Sequence, residues 1–169
     1  MWISLIGFMG CGKSAVANLV GSNICMPIIE SDKIISELIG QTISEIFNTS
    51  DQEYFRSQEL AVVNTLDVDK SYIISTGGGA VETPELMKIL RQNGIAIWLD
   101  RPWDQIISEI GTDTTRPLVA SLSSDELQDL FSRRCLLYKS AADYTINTGI
   151  LSVAQVAEKV NEIWRECES

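Results

Sequence analysis

Residues 7–14 combine three glycines, a lysine and a serine at a spacing that suits the binding of an anion. They read Gly-Phe-Met-Gly-Cys-Gly-Lys-Ser. Glycines let successive backbone N–H groups turn inward around a phosphate, and a helix that begins directly after them adds its dipole and its unpaired donors. Lys13 could reach the outer phosphates of a nucleotide, and Ser14 could offer its hydroxyl to Mg²⁺. We therefore predict a phosphate-binding loop at this position.

The spacing G-x-x-x-x-G-K-[S/T] is that of the P-loop, which indicates nucleotide binding but does not identify the second substrate. The alternative is a glycine-rich turn that arose by chance, with Lys13 as a solvated helix residue. The P-loop interpretation is favoured because the motif follows one predicted strand and opens one predicted helix, as the function requires.

Polar residues also stand directly after other predicted strands. Glu30 and Asp32 follow one short apolar run, and three consecutive glycines, residues 77–79, follow another. Ligands of open α/β sheets bind beyond the carboxyl ends of the strands. We therefore expect the P-loop, the two acidic side chains and the triple glycine to meet at one edge of the sheet. A carboxylate such as Asp32 could there accept a proton from a hydroxyl group.

Three arginines could bind or neutralise anions near that edge. Arg116 precedes a proline in the irregular stretch 111–124, whereas Arg56 and Arg134 lie on predicted helices. The guanidinium fork binds a carboxylate through two parallel hydrogen bonds, and phosphoryl transfer needs positive charge around the phosphates. Glu59 lies three residues after Arg56 on the same helix face, so it either orients that guanidinium or lies at the surface.

Each of these residues also has a purely structural explanation. Asp32 could simply begin a helix, where acidic side chains favour the dipole. Arg56 taken alone fits a solvated helix face, and residues 77–79 fit a turn. One of the neighbours Arg133 and Arg134 is expected to be a surface charge.

The elements that must position these residues alternate between short apolar runs and helical stretches, which is the pattern of a parallel α/β sheet. The predicted strands are residues 2–6, 27–29, 72–75, 95–99 and 144–146. The predicted helices are residues 13–20 (stopped by Gly21), 32–39, about 52–66, 84–94, 103–110, 125–142 and 153–166, with capping boxes beginning at Thr42 and Ser50. We predict an α/β fold: a single P-loop NTPase-type domain over residues 1–169, with a five-stranded parallel sheet flanked by helices. Residues 111–124 are long for a loop in a compact domain and are predicted to form a mobile lid.

The composition narrows the partners and the chemistry. The 169 residues include 13 basic and 23 acidic side chains, a net charge of −10, which repels nucleic acid and anionic membranes. The chain has no histidine, which excludes Ser-His-Asp, Cys-His and histidine–metal chemistry. Its four cysteines are widely spaced and it has no apolar stretch of 18 residues. We therefore expect a cytoplasmic protein without a membrane span. An acidic surface with no evident exposed apolar stripe favours a monomer.

Several motifs together resemble those of the shikimate kinase family. They are GFMGCGKS, the acidic pair in ESD, IFNTSDQEYFRSQE, STGGGAV, TRPLV and RCLLYKSAA, and they span about residues 5–148 in the family's order. The P-loop alone is shared with many proteins, whereas the combination is far more specific. The resemblance implies transfer of the γ-phosphate of ATP to the 3-hydroxyl of shikimate, with Mg²⁺ as cofactor, in aromatic amino-acid biosynthesis.

The resemblance also implies which residues bind shikimate. Asp32 would hold the reacting hydroxyl, as a base or as an orienting group. Arg56 and Arg134 would bind the carboxylate of shikimate, and Gly78 would offer a backbone contact. Residues 31–62 would form the substrate-binding region.

On the nucleotide side, the resemblance implies that ATP is held by Gly10, Cys11, Gly12, Lys13, Ser14, Ala15 and Arg116. The catalytic residues would be Lys13, Asp32 and Arg116. Ser14 would hold Mg²⁺, and Glu30 would contact the metal through water.

The chain departs from the family pattern at three positions near the nucleotide. Glu30 replaces the first aspartate of Asp-x-Asp, and Ala15 replaces a threonine of the P-loop. Glu109 stands where the family often has a lid arginine that contacts adenine. Because none of these changes removes a residue implied in catalysis, we predict an active enzyme with altered nucleotide affinity.

Two other functions fit the P-loop and the lid. One is a small-molecule kinase of the gluconate or nucleoside-monophosphate type, which would not require the triple glycine or the late Arg134. The other is a catalytically silent domain that binds nucleotide, an alternative that Glu30 and Glu109 leave open.

Overall fold

Five parallel strands form the centre of the protein in the computed structural model, which describes residues 1–111, 113 and 115–168. The strands are β1 (Trp2–Ile6), β2 (Ile28–Glu30), β3 (Tyr72–Ser75), β4 (Gly94–Asp100) and β5 (Tyr144–Asn147). Their order across the sheet is β2-β3-β1-β4-β5, with every neighbouring pair parallel. The predicted α/β fold with a five-stranded parallel sheet is therefore confirmed. Since β1 is the central strand, the loop that follows it lies in the middle of the sheet's carboxyl edge.

Helices cover both faces of this sheet. They are α1 (Lys13–Ile24), α2 (Ser31–Ile39), α3 (Ile43–Thr49), α4 (Gln52–Asn64), α5 (Pro84–Asn93), α6 (Trp103–Ile110), α7 (Pro117–Ser121), α8 (Ser124–Ala141) and α9 (Val153–Glu168). A single 3-10 turn lies at Ala80–Glu82. No helix in the described part of the chain is long and apolar enough to cross a membrane.

Alternate residues of β1 enter two separate cores. Ile3 and Leu5 pack with apolar side chains of α1 and α9 on one face, and Trp2 and Ile6 pack with those of α5, α6 and α8 on the other. All five residues of β1 are buried, as expected for a parallel strand covered on both faces. This double coverage fixes the position of the loop that follows β1.

Helix α1 is longer than predicted, because Gly21 does not end it. Gly21 is buried within the helix, and a Cβ there would lie 2.6 Å from Cγ1 of Ile28. The glycine therefore serves a close approach to β2 and does not act as a stop signal. The last helical residue is Ile24. The next residue, Cys25, adopts the left-handed conformation (φ 53°) and donates its N–H to the carbonyl of Gly21.

Two further local predictions need correction. Thr42 and Glu45 do form a capping box at the start of α3, but Ser50 does not cap α4. Asp51 occupies that position, and its side chain accepts the N–H of Tyr54 at 2.7 Å.

The stretch 111–124 is not irregular throughout, since it contains α7. Pro117 at the first helical position has the fixed φ that a helix needs, and Leu118 and Val119 pack against the core. Residues 112 and 114 of the predicted lid, and residue 169, lie outside the described residues. Mobility of the lid stays a prediction.

Candidate active site

The P-loop connects β1 to α1 at the centre of the sheet's carboxyl edge. Gly10 (φ 78°) and Gly12 (φ 93°) adopt left-handed conformations that favour glycine. The side chain of Lys13 is buried, and its Nζ donates to the carbonyl oxygens of Gly7 (2.7 Å) and Phe8 (3.0 Å). These contacts hold the ammonium group at the mouth of the loop, where an anion would bind.

A cavity of about 260 Å³ opens above the P-loop. It is lined by Met9, Gly10, Gly12, Lys13, Ser14, Ala15, Glu30, Asp32, Ser75, Thr76, Gly78, Arg101, Glu109 and Arg116. Of residues 10–15, which the resemblance implies hold ATP, five therefore line one cavity, which we call the phosphate cavity. The sixth, Cys11, is buried beneath the loop, with its Sγ 3.6 Å from Nζ of Lys13.

Asp32 is brought to this cavity by the first turn of α2. The buried hydroxyl of Ser31 accepts the N–H of Gly77 (3.2 Å) and donates to the carbonyl of Ser75 (3.4 Å), so it connects α2 to the end of β3. A Cβ on Gly77 would lie 2.8 Å from Oδ1 of Asp32, so the glycine leaves space for the carboxyl group. Ser31 thus positions the neighbouring acid.

Two opposing effects act on the pKa of Asp32. Protein atoms displace water from the carboxyl, and this desolvation raises its pKa above the ordinary value. Lys13, Arg56 and Arg116 oppose that shift because their charges stabilise the carboxylate. The net direction is upward, which makes Asp32 a stronger base than an exposed aspartate.

A second cavity, of about 270 Å³, adjoins the phosphate cavity and shares Met9, Asp32, Gly78 and Arg116 with it. Its other lining residues are Ile43, Phe47, Phe55, Arg56, Gly77, Gly79, Thr115, Pro117, Leu118 and Arg134. Apolar walls with a few convergent charged groups are typical of a site for a small organic molecule. We call this space the acceptor cavity.

Two of the arginines in the acceptor cavity are held by carboxylates, one buried and one partly exposed. Arg56 donates to Glu59, whose side chain is 1% exposed. Arg134, also 1% exposed, donates to Glu82 at 2.6 Å. Burial raises the pKa of Glu59, and the charge of Arg56 opposes that shift. Both guanidinium groups are therefore held in place before any ligand is bound.

The structure also distinguishes Arg134 from its neighbour. Arg133 is 65% exposed and contacts the other oxygen of Glu82, at 2.9 Å. Arg133 is therefore the surface charge expected from the sequence, and Arg134 faces the acceptor cavity. Glu82 was not identified from the sequence, and no local signal there singles it out from other acidic residues.

The triple glycine provides the space that Arg56 and Arg134 occupy. A Cβ on Gly79 would overlap Nη2 of Arg56 at 1.8 Å and lie 2.9 Å from Nη2 of Arg134. Gly78 approaches the P-loop closely, since a Cβ there would lie 3.1 Å from the backbone nitrogen of Met9. The run of glycines is thus required by close packing within the site, and it is more than a turn.

Tyr138, on α8, contacts this glycine segment. It is 1% exposed, and its hydroxyl donates to the carbonyl of Gly78. Desolvation raises the pKa of Tyr138, so the phenol stays protonated and keeps its donor. The contact holds the carbonyl of Gly78, a residue that lines both cavities.

We expect Tyr138→Phe to raise KM for the acceptor several-fold with little change in kcat, because one positioning hydrogen bond contributes about 1 kcal/mol. Initial rates at varied acceptor and saturating ATP measure this split. Tyr144→Phe is the matched control, since Tyr144 lies on β5 away from both cavities. An unchanged KM in Tyr138→Phe would contradict the positioning role.

Arg116 lies at the boundary between the two cavities. It occupies the N-cap position of α7, and its Nε donates to Oδ2 of Asp113 at 2.9 Å. A cation at this boundary lies beside both cavities, where it could stabilise negative charge on a bound ligand.

The oxygen groups near the P-loop suit a magnesium ion that is bound chiefly through phosphate. The hydroxyl of Ser14 lies 3.5 Å from that of Ser75, and Glu30 and Asp32 line the same cavity. Among the described residues, no three or more His, Cys, Asp or Glu side chains cluster into a metal site. Mg²⁺ commonly uses one or two protein oxygens together with phosphates and water, and this donor set fits that pattern.

A P-loop on the central strand, adjoining a cavity with an accessible carboxylate and two fixed arginines, defines the class of P-loop small-molecule kinases. Comparison with known proteins specifies the family: the family model described as "Shikimate kinase" matches residues 9–165. The chain belongs to the shikimate kinase family.

Individual relatives agree over nearly the whole chain. The shikimate kinase of Dehalococcoides mccartyi is 33% identical over 99% of this chain and 95% of its own length. That of Caldicellulosiruptor bescii is 35% identical over 99% and 97%. Among solved structures, shikimate kinase from Acinetobacter baumannii in complex with shikimate superimposes with a TM-score of 0.90 at 30% identity, covering 98% of this chain and 93% of that one. Shikimate kinase from Aquifex aeolicus gives a TM-score of 0.82 at 27% identity.

Proposed function

We propose that this site transfers the γ-phosphate of ATP to the 3-hydroxyl of shikimate, which yields ADP and shikimate 3-phosphate for aromatic amino-acid biosynthesis. The observation that carries the proposal is the pair of adjoining cavities. One contains the P-loop, the other contains Arg56 and Arg134, and Asp32 and Arg116 line both. An acceptor anchored by its carboxylate would thus present a hydroxyl to Asp32 beside the phosphates.

Asp32 would take up the proton that the reaction releases. The hydroxyl oxygen forms a bond to the γ-phosphorus, its O–H bond breaks towards a carboxylate oxygen of Asp32, and the bridging oxygen leaves with ADP. The upward shift of the pKa of Asp32 makes it a better acceptor for that proton. Whether the carboxylate removes the proton or only orients the hydroxyl depends on how early the proton moves.

Positive charge would stabilise the transferring phosphoryl group. Lys13 lies at the mouth of the P-loop, and Arg116 lies at the boundary of the cavities. Fixed cations of this kind act without reorganising during the reaction. Mg²⁺ held by Ser14, with Glu30 contacting its water shell, would neutralise the β- and γ-phosphates when bound.

The acceptor would be recognised chiefly by its carboxylate. Arg56 and Arg134 supply two fixed guanidinium groups for bidentate contacts, and Gly78 supplies a backbone contact. The apolar side chains of Phe47 and Phe55 would cover the ring. We further propose that residues 31–62 form most of this acceptor region and that residues 111–124 act as its lid.

We also propose a monomer that acts in the cytoplasm. The free state of all four cysteines fits a reducing compartment. Sedimentation at micromolar concentration would test the monomer, and a mass near 37 kDa, twice the 18.7 kDa of the chain, would contradict it.

The decisive experiment for the proposed function is a coupled assay of ADP release from Mg-ATP with and without shikimate. We expect ADP release only with shikimate, and little with quinate, gluconate or nucleoside monophosphates. Asp32→Ala should bind ATP but release no ADP, which controls for contaminating kinases. ADP release that depends on gluconate or a nucleoside monophosphate would refute the assignment, as would ATP binding without turnover on any of these acceptors.

A further inference from the structure

A third cavity, of about 270 Å³, adjoins the P-loop. Its polar part is formed by Cys11, Gly12, Arg101, Gln105, Thr148 and Gly149. It shares Gly12 and Arg101 with the phosphate cavity but none of the residues of the acceptor cavity. A nucleotide whose terminal phosphate faces the acceptor must extend away from it, and this cavity is the space into which its nucleoside half can extend.

Arg101 forms the junction between the phosphate cavity and this third cavity. It directly follows β4, at the same carboxyl edge of the sheet as the P-loop. Its Nη1 donates to the carbonyl oxygen of Gly10 at 2.7 Å, and its Nη2 lies 3.7 Å from Oε2 of Glu109. The side chain is 27% exposed, so two contacts hold the guanidinium while part of it stays accessible.

Glu109 would be unfavourable here without a compensating cation. It lines the phosphate cavity on α6 and is 58% exposed, and a carboxylate near a triphosphate repels it. The ion pair with Arg101 offsets this charge and places a guanidinium beside the same cavity.

We propose that Arg101, oriented by Glu109, binds the nucleoside half of ATP at the junction of the two cavities. A guanidinium is planar, stacks on aromatic rings and has five N–H donors. Two of its contacts are used by Gly10 and Glu109, and its face and other donors remain available for adenine and ribose. The inference rests on the proposed kinase function only in that ATP is the nucleotide.

The test compares the binding of Mg-ATP and Mg-tripolyphosphate to Arg101→Ala by titration calorimetry. Tripolyphosphate reports the phosphate cavity alone. We expect the Kd for ATP to rise about tenfold, the loss of one charge-assisted contact, and the Kd for tripolyphosphate to rise only about twofold, because the exposed Glu109 loses its partner cation. Arg91→Ala is the matched control, because Arg91 forms an exposed ion pair with Asp143 outside both cavities.

Two results would overturn the inference. Equal weakening of both ligands would show that Arg101 acts only on phosphate binding, through the position of Gly10 or through the charge of Glu109. No weakening of either would show that it forms a surface ion pair with Glu109 and nothing more.

A second variant moves the guanidinium group from position 101 to position 109. In Arg101→Ala/Glu109→Arg, a guanidinium returns to the junction from α6, and we expect most of the lost ATP affinity to recover. Failure to recover would count against a guanidinium contact at this junction. Because binding is measured without shikimate, failure of shikimate-dependent turnover would refute the proposed function and leave this result unaffected.

Discussion

Asp32→Asn should lower kcat by about 10³-fold, because an amide cannot take the proton from the attacking hydroxyl. Affinity for ATP should stay nearly unchanged, since the P-loop holds the phosphates without Asp32. The side chain keeps its size, so Gly77 still accommodates it. Stopped-flow or steady-state rates at saturating shikimate and ATP, with ATP affinity by calorimetry, measure the two effects separately.

The same substitution should not destabilise the fold. Because the pKa of Asp32 is raised in the folded protein, the folded state binds the proton more tightly than the unfolded state. The stability contributed by this group is therefore present below the ordinary aspartate pKa of about 4 and is lost as the pH rises through the raised value. At pH 7 the asparagine variant avoids that loss, and its Tm should be equal or slightly higher. Asp32 remains accessible from the cavities, so solvent screening keeps the gain small.

A kcat for Asp32→Asn within about tenfold of the parent would contradict proton transfer to this residue. An equal loss of ATP affinity would indicate damage to the phosphate cavity. Asp104→Asn is a suitable control, because Asp104 lies in the first turn of α6 and lines neither cavity.

Arg134→Lys should raise KM for shikimate by about 10²-fold, since lysine cannot reproduce the bidentate fork and leaves the carboxylate of bound shikimate poorly paired. The charge is kept, so the loss reports geometry and not the electrostatic field. Arg134 is 1% exposed and bound to Glu82, which makes compensation by solvent weak. The measurement is KM for shikimate at saturating ATP, together with KM for ATP, which should not change.

The neighbouring arginine offers a matched control. Arg133→Lys alters the same chemical group on the same helix and beside the same Glu82, but at a position 65% exposed. Its KM for shikimate should change by less than about twofold. The methyl ester of shikimate gives a second comparison, because removal of the carboxylate should make the parent and Arg134→Lys nearly equal. Equal effects of the two arginine variants would mean that Arg134 serves Glu82 and not the substrate.

The core of the site could be predicted from the sequence because it is built on local signals. The P-loop spacing requires a strand before it and a helix after it, and β1 and α1 occupy those places. Asp32 and residues 77–79 follow strands, so a parallel sheet necessarily brings them to one edge. These placements are confirmed in the structure. The chemical roles of Lys13, Asp32 and Arg116 stay predictions until they are measured.

Local signals failed where packing opposed them. Gly21 looked like a stop signal, but contact with Ile28 keeps it inside α1. Residues 117–121 looked irregular, yet the apolar side chains of Leu118 and Val119 stabilise a short helix by packing on the core. Arg101 was overlooked although it follows a strand at the carboxyl edge, the same signal that identified Glu30.

By itself, the sequence determined the class of fold, the phosphate-binding loop and the set of charged residues available for an anionic acceptor, since periodicity and motif spacing are local properties. Only the tertiary structure decided which arginine of the pair 133–134 lines the acceptor cavity, that Glu59 is buried against Arg56, and that Glu82 holds Arg134. It also decided that Tyr138 holds Gly78. The pairs Arg134–Glu82 and Tyr138–Gly78 join residues far apart in the chain, and burial and close packing select them in a way that no local pattern records.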